Sequence, residues 1–131
     1  MTGLTSATFS KKERIVSQKL IEQLFSKGNS HSTSAFPLRV VYMEKDRDEG
    51  EEPVQIMISV SKRHFKRAVK RNRVKRQIRE AYRHHKNILL GSVPEGKQVA
   101  AAFIWLADEL CDSSQVESSV RLLLGKVAER V

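Results

Sequence analysis

The chain has 131 residues, a length typical of one folded domain, and its 24 Lys and Arg against 15 Asp and Glu give a net charge of +9. One cysteine, Cys111, excludes an internal disulfide framework, and no apolar run approaches the ~20 residues of a membrane-spanning helix. The amino terminus lacks the pattern of a signal peptide. We therefore expect a single cytoplasmic domain over residues 1–131, with a core at about 10–130, and a polyanionic partner rather than a membrane.

The first third of the chain predicts a helix, a loop and a strand. Residues 11–28 carry apolar side chains at helical spacing, and Gly28 is placed to end the helix. Residues 29–34 are small and polar, as in a loop. Residues 35–43 are rich in β-branched and aromatic side chains and predict a strand, with Pro37 near its start, where proline is tolerated.

Beyond an acidic turn at residues 44–53, the pattern predicts strands and one further helix. Residues 54–60 alternate between apolar and polar side chains, as in a half-buried strand. After the loop 91–97, residues 99–106 predict a short buried strand, and residues 114–130 predict the last helix. Together with the basic helix described next, this order predicts an α+β fold with helices packed on a mainly antiparallel sheet.

The positive charge is concentrated in residues 62–86, which contain twelve Lys and Arg and one acid, Glu80. A charged segment is usually a solvated helix face in which opposite charges compensate each other. Because Glu80 is the only acid available, eleven cations here stay uncompensated within the segment. This density favours a surface that binds nucleic acid.

A helical projection of this segment separates an apolar stripe from a ridge of cations. The stripe contains Val74, Ile78, Ala81 and Tyr82 and predicts the face that docks on the sheet. The ridge beside it contains Arg71, Asn72, Lys75, Arg76, Arg79, Arg83 and Lys86, and Lys62, Arg63, Lys66, Arg67 and Lys70 precede it. Arginine forks and the amino-terminal N–H groups of a helix both favour phosphate.

Other nucleic-acid and catalytic classes fit the sequence less well. DNA-recognition helices follow another helix, whereas a strand precedes this one, so DNA is not the expected partner. Stacking on single-stranded RNA needs exposed aromatic rings. Phe103 and Trp105 lie in an apolar strand and are predicted to be core residues, whereas Phe25 and Tyr42 could be either core residues or exposed rings. No nucleophile elbow, phosphate loop or clustered metal ligands are present, so we expect no catalytic or metal-binding residues in the chain.

The run RNRVKRQIREAYR at residues 71–83, with SVSKR at 59–63, closely resembles the signature of the bacterial ribonuclease P protein subunit. The resemblance extends upstream to Arg14-Ile15, to LFSKG at residues 24–28 and to the strand that ends at Tyr42. It weakens after Lys86, where only the order of a strand and a helix agrees.

The resemblance implies a two-layer α/β sandwich with about four strands, three helices and a left-handed βαβ crossover, a ribosomal protein S5 domain 2-like fold. It implies a bacterial cytoplasmic protein that assists a catalytic RNA, with Mg²⁺ on that RNA, in removing the 5′ leader of precursor tRNA. The implied RNA-binding residues are Lys62, Arg63, Lys66, Arg67, Arg71, Asn72, Arg73, Lys75, Arg76, Arg79 and Arg83. The implied leader cleft contains Ile21, Phe25 and Tyr42, with Ile21 standing where many members have an aromatic residue.

Two alternative functions are weighed against this one. A ribosomal or general RNA-binding protein without a processing role would account equally well for the basic helix alone. The RNR signature together with Phe25 and Tyr42 favours the ribonuclease P protein. A metal-dependent protein nuclease is disfavoured because no carboxylates cluster near the basic helix.

Overall fold

A computed structural model describes residues 9–26, 28 and 30–131. The elements in chain order are a 3-10 turn at Lys11–Glu13, then α1 (Gln18–Leu24), β1 (His31–Ala35), β2 (Leu38–Asp46), β3 (Val54–Ser59), α2 (Ala68–His85), α3 (Asn87–Leu90), β4 (Lys97–Trp105) and α4 (Ser113–Arg130). The described residues exclude 1–8, most of the segment that lacks a signal-peptide pattern. They also exclude position 27 of the predicted first helix and position 29 of the predicted loop.

The four strands form one sheet in the order β1-β2-β4-β3. The β1–β2 and β2–β4 pairs are antiparallel, and β3 and β4 are parallel. Parallel neighbours cannot be joined by a tight turn, so the chain between them crosses over through α2 and α3. The α+β fold and the mainly antiparallel four-stranded sheet are therefore confirmed, and the left hand of the crossover stays a prediction.

The two faces of the sheet are covered unequally. On one face, α2 and α4 enclose the main core, where Trp105, Tyr82 and Phe103 are the largest side chains that are almost completely buried. The opposite face carries α1, whose Leu20 and Leu24 pack with the small Ala100 and Ala102 of β4. Because α1 has only seven residues, it covers part of that face, and Ile104 and Met57 stay partly exposed there.

The predicted helix at 11–28 is wrong in length, because tertiary contacts divide it. Arg14 is extended and forms a bridge to Ile56 of β3, and the Ile15 N–H donates to the Ile56 carbonyl at 2.9 Å. The helix then begins after Ser17, whose hydroxyl accepts from the Leu20 N–H at 3.2 Å. That bond is a typical amino-terminal cap, and it sets the start of α1.

The predicted loop at 29–34 and strand at 35–43 are also corrected, because the two regions form a β-hairpin. The polar residues His31–Ala35 are β1, and the chain turns at Phe36-Pro37 through a cis peptide bond before β2 begins at Leu38. As an edge strand, β1 is mostly exposed, so it lacks the apolar alternation by which a strand is recognised.

Two bounds differ: β2 continues to Asp46, into the predicted acidic turn, and α3 is a short helix that the sequence does not predict. The other elements agree with the sequence. The strands predicted at 54–60 and 99–106 are β3 and β4, and the helix predicted at 114–130 is α4. The apolar face of α4 is buried as its spacing predicts. Within the described part of the chain, none of the helices is both long and apolar enough to cross a membrane.

Candidate nucleic-acid interface

The basic helix α2 docks through the stripe that the sequence predicts. Val74, Ile78, Ala81 and Tyr82 are all at most 3% exposed, and they pack into the main core. Burial raises the pKa of the Tyr82 hydroxyl, which therefore stays protonated. With this stripe fixed on the sheet, the opposite side of α2 faces solvent.

Most of the predicted RNA-binding residues lie on that outer side and on the loop that precedes it. The exposed members are Lys62, Arg63, Lys66, Arg67, Asn72, Arg73 and Arg76, together with Lys70. Lys75 and Arg79 are half-buried along the side of α2 that faces β3. Arg83 pairs with Glu80 at 2.7 Å, and this hydrogen bond lowers the pKa of the Glu80 carboxyl. Glu80 thus compensates part of the charge of Arg83.

Arg71 has a second role that the helical projection does not reveal. Its guanidinium donates to the backbone carbonyls of Phe65 and Lys66, both at 2.8 Å, and the residue is half-buried. The same loop is anchored by His64, whose ring lies 2.6 Å from the Asp108 carboxylate. The Phe65 ring packs beside the Trp105 ring, with 6.5 Å between the ring centres. Arg71 therefore holds the loop that presents the preceding cations, in addition to its own charge.

Lys86 does not belong to the exposed ridge in which the projection places it. The residue is 4% exposed, and its ammonium lies 3.0 and 3.1 Å from the two carboxylate oxygens of Glu13, which is 8% exposed. An ammonium that is buried against a carboxylate is not available to a phosphate. The ridge that can contact a polyanion therefore ends before Lys86.

A groove of about 240 Å³ lies beside α2 at the outer edge of β3. Its lining residues are Phe9, Arg14, Ile15, Ile56, Met57, Ile58, Lys75 and Arg79. Three cations thus surround an apolar floor, and the Arg14 guanidinium lies 5.2 Å from the centre of the Phe9 ring. Cations beside apolar and aromatic surface suit a single strand, since phosphates and bases then both find contacts. Arg14 is not among the RNA-binding residues predicted from the sequence, although the Arg14-Ile15 pair belongs to the stretch that resembles the family.

The structure places Tyr42 in the main core and not on the α1 side of the sheet, so it does not bring the three residues of the predicted leader cleft together. Tyr42 is 2% exposed in the core under α2 and α4, with its hydroxyl 3.5 Å from the Arg130 guanidinium. Its neighbours Val41 and Met43 point to the opposite face, towards α1. Side chains alternate along a strand, so a shift of one residue changes the face. The aromatic residue of the motif is therefore a core residue here.

The other two predicted cleft residues do lie on the α1 side. Ile21 is half-buried in α1 and packs in the smaller core cluster of that face. Phe25, at the carboxyl end of α1, is 49% exposed. A half-exposed ring at a helix end is available to stack on a base, whereas Tyr42 is not.

Neither the histidines nor the cysteine adds a catalytic arrangement among the described residues. His84 and His85 both face Glu117, at 3.6 and 2.9 Å. Of the His, Cys, Asp and Glu side chains that the structure describes, no three group together in a way that could hold a metal ion. Burial raises the pKa of the Cys111 thiol, which makes it a poorer nucleophile.

Comparisons with known proteins agree on one family. A protein-family model described as Ribonuclease P matches residues 9–128. A Porphyromonas gingivalis protein named ribonuclease P protein component is 38% identical over 133 aligned residues, which cover all of this chain and 94% of the relative. A protein of the same name from Chlorobium phaeobacteroides is 35% identical over 97 residues, covering 74% of this chain and 66% of the relative.

Two solved structures support the same assignment. One is a Staphylococcus aureus RNase P protein mutant with defective mRNA degradation activity, with a TM-score of 0.65 and 25% identity over 98% of this chain and 94% of that one. The other is the RNase P protein from the same organism, with a TM-score of 0.61 and 25% identity over 93% of each chain.

Proposed function

The chain belongs to the bacterial ribonuclease P protein family, and from this premise we propose that it uses two basic surfaces for two different RNAs. As the protein component of ribonuclease P, it works in tRNA processing. Its partner in this endoribonuclease complex is the ribonuclease P RNA. The matches over the whole chain favour this function over a general or ribosomal RNA-binding role. The exposed cations of α2 and its preceding loop bind that RNA, and the groove at β3 holds the 5′ leader of precursor tRNA.

The placement of the cations on α2 is the observation that carries this division. Arg73 and Arg76 are exposed on the outer side of the helix, whereas Lys75 and Arg79 turn towards β3 and line the groove. A folded RNA presents a broad phosphate surface that an exposed ridge can contact. A flexible single strand can enter a narrow groove, where Met57 and Ile58 offer apolar contact between the cations.

Hydrolysis is assigned to the RNA component, with Mg²⁺ bound mainly to that RNA. The protein contributes by reducing the repulsion between two polyanions that must dock, the ribonuclease P RNA and the precursor tRNA. Lower repulsion raises the affinity for the substrate. It also reduces the Mg²⁺ concentration that the complex requires, because fewer phosphates then need cations from solution.

A cleavage assay tests the assignment of the chemistry. Precursor tRNA is incubated at low Mg²⁺ with a bacterial ribonuclease P RNA, with and without the protein, and with the RNA-free protein alone. We expect the protein to restore leader removal by the RNA and to cut nothing by itself. Leader removal by rigorously RNA-free protein would contradict the assignment.

Two double variants with the same change in charge test the division between the surfaces. Lys75→Ala with Arg79→Ala removes two cations from the groove, and Arg73→Ala with Arg76→Ala removes two from the outer side. Losing a charge-assisted contact costs ~1.5–3 kcal/mol, or about ten- to a hundredfold in affinity. The groove variant should lose the preference for precursor over mature tRNA, and the outer variant should lose affinity for the ribonuclease P RNA. Equal effects of both variants on both affinities would refute the division.

A further inference from the structure

The amino-terminal segment before α1 is attached to the basic helix by an ion pair that is almost completely buried. The Lys86 ammonium contacts both carboxylate oxygens of Glu13, and the two residues are 4% and 8% exposed. Glu13 also accepts from the backbone N–H and the hydroxyl of Ser10, at 3.3 and 3.4 Å. A buried charge needs such partners, so removing either residue of the pair would leave the other charge buried without its counter-ion and destabilise the docked segment.

The ion pair is one of several contacts that dock residues 9–15, which we call the strap, between α2 and β3. The Gln55 amide donates to the Lys12 carbonyl at 3.0 Å, and the Ile15 N–H donates to Ile56. The Phe9 ring packs on Tyr82 of α2 at 5.7 Å between centres. Glu13 provides the ionic contact of the strap with α2, at the end of the helix opposite to its cationic loop.

Docking of the strap completes the groove. Lys75 and Arg79 come from α2, whereas the third cation, Arg14, comes from the strap and directly follows Glu13. With the strap docked, the Arg14 guanidinium lies over Phe9 and lines the same groove as the two helix cations. Arg14, which also bridges to Ile56 of β3, is therefore next in sequence to the residue whose ion pair docks the strap.

We infer that Glu13 and Lys86 are positioning residues for RNA binding: their buried ion pair holds Arg14 in the groove beside Lys75 and Arg79. The inference rests on the proposed leader groove and adds the part of the fold that assembles it. Glu13 is then a carboxylate that strengthens binding of a polyanion, although it carries the same sign of charge as the RNA.

This sign makes the inference testable. By simple electrostatics, removing a negative charge from an RNA-binding protein should strengthen RNA binding. If Glu13 positions Arg14, Glu13→Gln should instead weaken the binding of precursor tRNA and leave the binding of mature tRNA unchanged. The control is Glu95→Gln, which removes an exposed acid from the loop before β4 and should leave binding unchanged or slightly tighter.

The experiment measures the affinity of the complex with bacterial ribonuclease P RNA for precursor and for mature tRNA. We expect Arg14→Gln and Glu13→Gln each to reduce the preference for the precursor by about tenfold. The double variant should lose no more than Arg14→Gln alone, because both changes remove the same contact. Precursor binding by Glu13→Gln at or above the wild-type affinity, or additive losses in the double variant, would overturn the inference.

A second variant separates positioning from a loss of folding. Replacing both members of the pair, Glu13→Met with Lys86→Met, removes the buried charges and leaves an apolar contact, which proteins often tolerate. We expect this pair to restore both the melting temperature and the precursor preference that Glu13→Gln loses. Restored stability without restored preference would refute the inference. If instead the Lys75 and Arg79 variant keeps its precursor preference, the proposed groove itself fails.

Discussion

Replacing Tyr42 and Phe25 with alanine, one at a time, should separate folding from RNA binding. The sequence motif groups the two rings in one cleft, whereas the structure buries Tyr42 to 2% exposure and leaves Phe25 49% exposed. The first change removes a ring from the main core, and the second removes one from the surface. Opposite outcomes are therefore expected from two chemically similar substitutions.

The magnitudes follow from burial. Tyr42→Ala should cost ~3–5 kcal/mol of unfolding free energy, as for other buried aromatic residues. In a domain of this size about 1 kcal/mol corresponds to roughly 3–5 °C, so the melting temperature should fall by about 10–20 °C. Phe25→Ala loses only about half of a ring burial, or ~1 kcal/mol. Phe25 does not line the groove at β3, so its ring can stack on a leader base only where the leader extends beyond that groove, and in that case the same change should weaken precursor binding by ~1–3 kcal/mol.

The assay combines thermal unfolding, followed by circular dichroism, with affinities for precursor and mature tRNA below the melting temperature. Tyr42→Phe is the matched control, because it keeps the ring and loses only a hydroxyl whose contact with Arg130 is 3.5 Å long. It should stay within ~1 kcal/mol of the native protein. Unchanged stability of Tyr42→Ala with weaker precursor binding would refute the core assignment, and a large loss of stability in Phe25→Ala would refute the surface assignment.

Three further predictions concern the basic helix and the cysteine. Arg71→Ala should weaken assembly with the ribonuclease P RNA by about ten- to a hundredfold and speed amide hydrogen exchange in residues 61–67. Arg76→Ala, the control, should leave that exchange unchanged. Equal exchange rates in the two variants would show that Arg71 does not hold the loop. Affinity for the same RNA should fall with salt on a log–log slope near −4 to −5 if about six phosphate contacts form, and a slope near −1 would exclude the ridge as the docking surface. Because burial raises the pKa of the Cys111 thiol, a smaller fraction of it should be thiolate at pH 7.5 than in a free peptide. Alkylation of Cys111 should therefore be slower than alkylation of the peptide, and the midpoint of its pH–rate curve should lie at higher pH. An alkylation rate equal to that of the peptide would contradict the burial of the thiol.

Local periodicity was enough to predict the elements with a strong apolar pattern. The stripe of α2, from Val74 to Tyr82, is buried as predicted, and so is the apolar face of α4. A helix or strand repeats its side-chain directions every 3.6 or two residues, so the sequence itself records which face is apolar. The excess of cations on α2 was readable for the same reason, since no nearby acid beyond Glu80 compensates it.

The tertiary structure decided which of those cations are available and which aromatic residue is exposed. Lys86 is removed from the ridge by Glu13, 73 residues earlier in the chain, and Arg71 bonds to backbone carbonyls that every residue possesses. Tyr42 lies on the face of the sheet under α2 and α4, whereas its neighbours Val41 and Met43 lie on the α1 face, because side chains alternate along a strand. Contacts between distant segments, and contacts to the backbone, leave no periodic trace in a sequence. For that reason the contacts that bring Arg14 of the strap to Lys75 and Arg79 can be recognised in the tertiary structure but not in the sequence.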